Sequence, residues 1–277
     1  MKFCVIGPEK KRFAEAQLIN EGRKIFGNAL YVPYSKIRIS ISHSANVLYG
    51  NINLADFDAI IPRIPEDWMF SYVLMNSLSG AYSPLDTISF ITGNNKILLY
   101  DVLMKSGVKV PKACLADSPE SAEEALREMS YPIGVRAANS KEINMFALSR
   151  KEIGPMINTI RRLKSAIYLE ERLTDPLIRC FVIGDEIIPL KLNAETEEKS
   201  MKAEGKWKTV KIDSNTERLV MRATRVIGAR VCRVDFREKS ESIVNVNIVP
   251  PMKLFSNVSG RNIPKIVTEF MKNEIKR

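Results

Sequence analysis

The sequence predicts an α/β lobe followed by an α+β body, and three observations predict it. Short apolar strands alternate with helices over residues 1–90, the pattern of a parallel sheet with covering helices. Residues 91–170 are richer in helix. Residues 171–277 then run through a succession of strand-like segments with two covering helices, an antiparallel arrangement. The same three spans are the expected lobes of the chain.

Taken in order, "KFCVIG" is a buried-type strand ending on Gly7-Pro8, and "EKKRFAEAQLINEGRKIFG" has helical periodicity closing on Gly27. "NALYVPYS" is a second strand, "IRISISHSANVLYG" a strand or hairpin, and "FDAIIPRI" a further strand, with "DWMFSYVLMNSLSGA" helical after it. From Asn94 the pattern restarts. "NNKILLYDVLMKSGVKVP" is a helix closed by Gly107, with Leu98, Leu99, Val102 and Leu103 on one side. "SPESAEEALREM" is a helix opening on Ser118, read with a capping-box glutamate. "YPIGVRAA" and "MFALS" form a strand pair, and "KEIGPMINTIRRL" is a third helix. "AIYLEERL", "IRCFVIGDEIIPLKLN", "KTVKI", "RVDFRE" and "IVNVNIVPP" are strands, the second folding back through a tight turn at Gly184-Asp185. "SNTERLVMRATRVIG" and "IPKIVTEFMKNEIKR" are helices.

Composition narrows the chemistry. At 277 residues the chain can bury a large core in two or three lobes. No run approaches the ~18 apolar residues of a membrane span, and the apolar start from Phe3 to Ile6 is too short for a signal sequence. The four cysteines, Cys4, Cys114, Cys180 and Cys232, are scattered with no C-x-x-C pair, which fits a reducing cytoplasm better than a zinc or disulfide framework. The single histidine, His43, leaves histidine-based catalysis without material. The net charge of +10 favours anionic partners, with basic clusters at Lys10–Arg12, at 161–164 and at 206–211. Those charges are spread over separate elements with few aromatics between them, so nucleic acid is the weakest candidate. Solvated basic faces account for such clusters equally well.

In "IVNVNIVPP" the amides of Asn245 and Asn247 stand two residues apart in a β-branched run, which places them on one face of a strand. They follow a set of stations in a recognisable order: Lys96 opening a helix, Arg136 inside the strand "PIGVRA", the acidic strand end "YLEERL", then "IRCFVIGDEIIPLKLNA", "GKWKT", "RVDF" and "NVN". That order resembles the ATP-grasp superfamily, and within it the RimK-like carboxylate–amine ligases, over about residues 56–265. The resemblance implies an ATP-grasp fold with an N-terminal α/β lobe. It implies a reaction in which a carboxylate takes the γ-phosphate of ATP to form an acylphosphate that an amine then attacks, joining a glutamate-like acid to a peptide or cofactor. Such a site needs cations aimed at phosphates.

By the resemblance Lys96 and Arg136 grip phosphates from two sides, with Lys141 as a further contact. Glu171, Arg172 and Leu173 meet the adenine, and Arg179 and Lys208 face substrate or phosphate. Asp235, Asn245 and Asn247 hold Mg²⁺ with the nucleotide. Each cation also has a structural reading, as a solvent-facing or ion-paired side chain. Three departures stand out. Asn245 replaces the glutamate that bridges two metal ions in the family, the loop "RAANSKEINMF" lacks the family's phosphate-covering glycines, and "VPPMK" replaces its small-residue turn. They leave Mg²⁺ at one ion or none, and a catalytically inactive paralogue binding nucleotide or an acidic partner as the alternative function. The expected partners are nucleotide and an acidic small molecule or peptide. Self-association is left open.

Overall fold

The structure is a computed structural model that describes residues 1–41, 43, 45–64, 68–78, 80–138, 145–192 and 207–276. The N-terminal strand β1 (Lys2–Gly7) is completely buried beyond its first residue. It lies between β2 (Asn28–Pro33) and β6 (Ala59–Pro62), parallel to both. Helix α1 (Phe13–Phe26) covers one face through Ala14, Leu18 and Ile19 and ends at Gly27, whose φ of 85° suits glycine. A small antiparallel sheet of β3 (Ile37–Ile41), β4 (Ala45–Tyr49) and β5 (Ile52–Asn53) intervenes, so the ambiguous segment is a hairpin. Helix α2 (Trp68–Asn76) and the six-residue α3 (Thr87–Thr92) lead to α4 (Lys96–Lys105), capped by the Asn95 side chain accepting from Leu98 N–H.

Two antiparallel sheets follow. The first has the order β7 (Ala113–Ala116), β10 (Ile167–Glu171), β8 (Ile133–Ala137), β9 (Met145–Ala147). Its outer face carries Ala116, Ile133, Val135, Ile167 and Leu169, which pack on α5 (Pro119–Ala125) and α6 (Arg150–Arg162). Ser118 caps α5 by accepting from Ser121 N–H. The third helical position is therefore Ser121, and the capping-box glutamate expected there is absent.

The second sheet runs β13 (Trp207–Thr209), β12 (Glu186–Leu192), β11 (Leu177–Ile183), β14 (Val231–Arg237), β15 (Ser242–Asn247). The β11–β12 turn is at Gly184 (φ 61°), where a Cβ would meet the Phe270 ring at 2.6 Å. One face of this sheet buries Ile178, Cys180, Val182, Cys232, Val234 and Phe236 against α4 and α7 (Ser214–Val226). On the other face Phe181, Ile183 and Val231 pack against α8 (Met252–Ser259), α9 (Ile263–Ile275) and α1, with Phe181 and Phe255 edge to face at 5.0 Å. One core cluster, from Ala116 to Leu169, lies within the 91–170 span, and the other two join N- and C-terminal segments. Ile6 and Ile60 share one cluster with Leu99, Val220 and Val234, so the parallel sheet is welded to the C-terminal body.

Candidate active site

Strand pairing decides which side chains share a face. Across the four-stranded sheet, Leu115, Tyr168 and Arg136 are register partners and form a row on its inner side. Two residues along, Glu170 pairs with Ala113 and Gly134 on that same side. On the five-stranded sheet, Arg179 pairs with Asp235, Asp235 with Asn245, and Arg233 with Asn247. The two amides of "IVNVN" thus share a face with an aspartate and two arginines. A β-bulge follows Asp235 in this pairing and leaves Val244 unmatched. The Val244 carbonyl accepts from Tyr100 O–H at 2.9 Å.

Between these faces lies a cavity of about 510 Å³, within the range of small-molecule sites. Lys96, Arg136 and Tyr168 line it, together with Asn245 to Val249 and the turn from Gly93 to Asn95 that leads into Lys96. Leu98 and Leu115 give it apolar wall, suited to a flat ring.

The charged groups are not idle. Glu170, 7% exposed, accepts from Lys96 Nζ at 2.9 Å, Tyr100 O–H at 2.9 Å and Tyr168 O–H at 2.6 Å. Burial first, then the Glu170 charge, pushes both tyrosine hydroxyls well above their ordinary range, so they remain donors. The Arg136 guanidinium lies 4.0 Å from the Tyr168 ring centre, with Nη1 reaching the Ala137 and Ala138 carbonyls at 3.4 Å. On the adjoining face of the five-stranded sheet Arg233 Nη2 donates to Asp235 Oδ2 at 2.8 Å. Arg179 Nε lies 3.4 Å from Oδ1, an ion-pair contact longer than a good hydrogen bond. Burial pulls the Arg179 guanidinium below its ordinary value and the Asp235 charge acts against that. The Trp207 ring sits 4.5 Å from Arg179.

Of the residues singled out from sequence, Lys96, Arg136, Asn245 and Asn247 line the cavity, while Arg179 and Asp235 form the ion-pair cluster on the adjoining face. Lys208 does not join them. Its neighbour Trp207 occupies the Arg179 side of β13, and strand alternation sends Lys208, exposed beside Lys191, to the other side. Glu171, Arg172 and Leu173 border a separate, more open recess of about 360 Å³ with Tyr131 and Lys239. There the Glu171 carboxylate accepts from Ser130 N–H at 2.6 Å, and the Arg172 guanidinium stacks 4.3 Å from the Phe146 ring. Lys141 and the glycine-poor loop at 139–144 lie outside the described residues. Glu170 reads from the sequence as no more than a strand-edge charge, and Tyr100 and Arg233 carry no expectation there. Period two was the available signal for Glu170, two after Tyr168, and for Arg233, two before Asp235. Helical spacing put Tyr100 four after Lys96. Cys4, Cys180 and Cys232 are buried and their thiols pushed far up, which removes them as nucleophiles.

Two antiparallel sheets closing on a cationic cavity, set on a parallel α/β lobe, are the architecture of an ATP-grasp fold. The RimK-like ATP-grasp domain matches residues 93–271, and the chain belongs to that family. It is 24% identical to a probable alpha-L-glutamate ligase 2 of Hahella chejuensis, over 99% of this chain and 96% of that protein. It is 23% identical to a probable alpha-L-glutamate ligase of Marinobacter nauticus, over 100% of this chain and 97% of that one. Among solved structures, the ATP-grasp ligase PsnB complexed with minimal precursor, Mg and ADP aligns with a TM-score of 0.74 at 14% identity, covering 99% of this chain and 98% of that one. A RimK domain protein from Sphaerobacter thermophilus aligns with a TM-score of 0.74 at 17% identity, covering 98% and 99%. Among the described residues no helix is long and apolar enough to cross a membrane.

The family implies Mg²⁺ beside the nucleotide, and the residues present do not fit it. Mg²⁺ needs hard oxygen ligands with negative charge among them. Here the Asp235 carboxylate is engaged by two guanidinium groups, Asn245 turns its N–H towards Asp235 Oδ2 at 3.4 Å, and the Asn247 oxygen accepts from Val249 N–H at 2.8 Å. Among the described residues no group of three or more His, Cys, Asp or Glu side chains is placed to hold a metal.

Proposed function

We propose that the protein is an ATP-dependent carboxylate–amine ligase that adds a glutamate-like acid to a peptide or small-molecule amine, with the nucleotide in the cavity between its two antiparallel sheets. The observation that carries this is the placement of Lys96 and Arg136 on the wall of that cavity, in a chain of the RimK-like family. Leu98 and Leu115 offer apolar surface to the base, and the cations offer charge to the phosphates. Arg136 presents a planar fork fixed against Tyr168. Lys96 keeps two ammonium hydrogens beyond the one Glu170 takes. In the reaction an oxygen of the acid attacks the γ-phosphorus and ADP departs. The amine nitrogen then attacks the acyl carbon, phosphate departs, and the amine proton passes to solvent or base. Negative charge grows on phosphate oxygens in the first step, and fixed guanidinium groups stabilise it without reorganising.

One observation favours a second reading, nucleotide binding without ligation: Asp235 is neutralised by two arginines and faces Asn245 where the family carries glutamate. ADP release measured with ATP, glutamate and candidate amine acceptors separates the two. Ligation predicts sustained ADP release only when acid and amine are both present, with at most one ADP per protein from acid alone. Nucleotide binding with no ADP under any pairing would transfer the protein to the second reading.

A further inference from the structure

We infer that this cleft takes its polyphosphate ligand free of divalent metal, with the guanidinium groups of Arg179 and Arg233, braced by Asp235, supplying the positive charge that metal ions would otherwise carry. The inference rests on reading the cleft as a nucleotide site, and it concerns which ionic form of the nucleotide the site accepts.

Three observations carry it. The first is charge. Arg179, Arg233 and Asp235 are all buried, at 7%, 9% and 5% exposure, and together carry one net positive charge. A dication set against Asp235 would enter beside two fixed cations, so the local field opposes it and favours an anion. The second is the donor balance. Arg233 Nε is a buried donor without a hydrogen-bond partner among the described residues, whereas the buried acceptor Asp235 Oδ1, which also makes no hydrogen bond there, has the Arg179 Nε ion-pair contact at 3.4 Å. An orphaned donor calls for an acceptor oxygen, which phosphate or its bound water supplies and a bare cation does not. The third is Asn245. It is the register partner of Asp235 and lines the cavity, and its amide adds a neutral dipole where a second carboxylate would be needed to outweigh the arginines. Guanidinium suits the substituted role because it stays charged and grips phosphate through paired N–H groups.

The test is calorimetric titration of the full chain with ATP, once in excess EDTA and once in excess MgCl₂. The inference predicts dissociation constants that agree within about threefold, well inside the tenfold that one kcal-scale contact would produce. Binding at least about tenfold weaker in EDTA overturns the inference and leaves the nucleotide reading standing. Heat in neither arm overturns both, so the two failures are told apart. Asn245→Glu supplies the missing carboxylate at a half-buried position. This variant is expected to acquire metal dependence, binding about tenfold or more tightly in MgCl₂ than in EDTA. A folded variant that stays indifferent to Mg²⁺ counts against the inference, because the metal-free state would then not depend on the charge balance at Asp235.

Discussion

Asp235→Ala is expected to destabilise the protein by about 3–5 kcal/mol, read as a fall in the urea midpoint with an unchanged slope. The reason lies in what the substitution leaves behind. Arg179 and Arg233 face one carboxylate from two sides at 3.4 and 2.8 Å, and both side chains are buried. Removing Asp235 takes from two buried guanidinium groups the carboxylate they share on a strand face with Trp207. The loss is a large share of the roughly 5–15 kcal/mol that holds a domain folded. Asp235→Asn keeps the volume but not the charge and is expected to fall nearly as far, which separates charge from packing. A loss below about 1 kcal/mol, the range of exposed ion pairs, would show that the arginines reach solvent and that Asp235 is not their brace.

Glu170→Ala is expected to lower stability by about 2–4 kcal/mol, measured in the same denaturation experiment. Glu170 is the common acceptor for Lys96, Tyr100 and Tyr168. The effect is smaller than at Asp235 for two structural reasons. The Lys96 side chain is 24% exposed and can turn to water, and the Tyr100 hydroxyl has a second acceptor in the Val244 carbonyl. Tyr168, 1% exposed, has neither escape, so most of the loss falls there. Glu170→Gln retains one carbonyl oxygen and is expected to recover about half of the difference. Equal losses for the two variants would place the effect in the negative charge rather than in the hydrogen bonds.

Much of this architecture is legible in the residues, because period two and period 3.6 are strong along most of the chain. The Gly184 turn, the β8–β9 pair and the shared face of Asn245 and Asn247 are all as expected from local pattern. Local pattern fails where the answer depends on a partner far away in sequence. Lys96 reads as a free cation until Glu170, 74 residues on, is folded against it. Lys208 reads as a phosphate contact until the parity of β13 is fixed by Trp207 stacking on Arg179. The short helix α3 passes unnoticed because six residues give too little periodicity. The joint core of the parallel sheet and the C-terminal body is invisible because its members, Ile6 and Ile60 with Val220 and Val234, lie far apart in sequence. Asp235 illustrates both sides. Its place on the cleft face is readable, yet its two guanidinium partners emerge only from the pairing of β11 with β14 and from Arg233 two residues before it.

A calorimetric ATP titration of the wild-type chain beside Arg136→Ala, with Arg136→Lys as the charge-keeping control, tests whether the cavity holds nucleotide phosphate. Arg136 sits on the cavity wall, its guanidinium fixed over Tyr168. Loss of a charge-assisted contact to phosphate weakens binding by about tenfold or more. Saturable binding to the wild type is expected, with a loss of that size for Arg136→Ala and an intermediate value for Arg136→Lys. Binding of equal strength to wild type and Arg136→Ala, or no binding to the wild type at all, would contradict it.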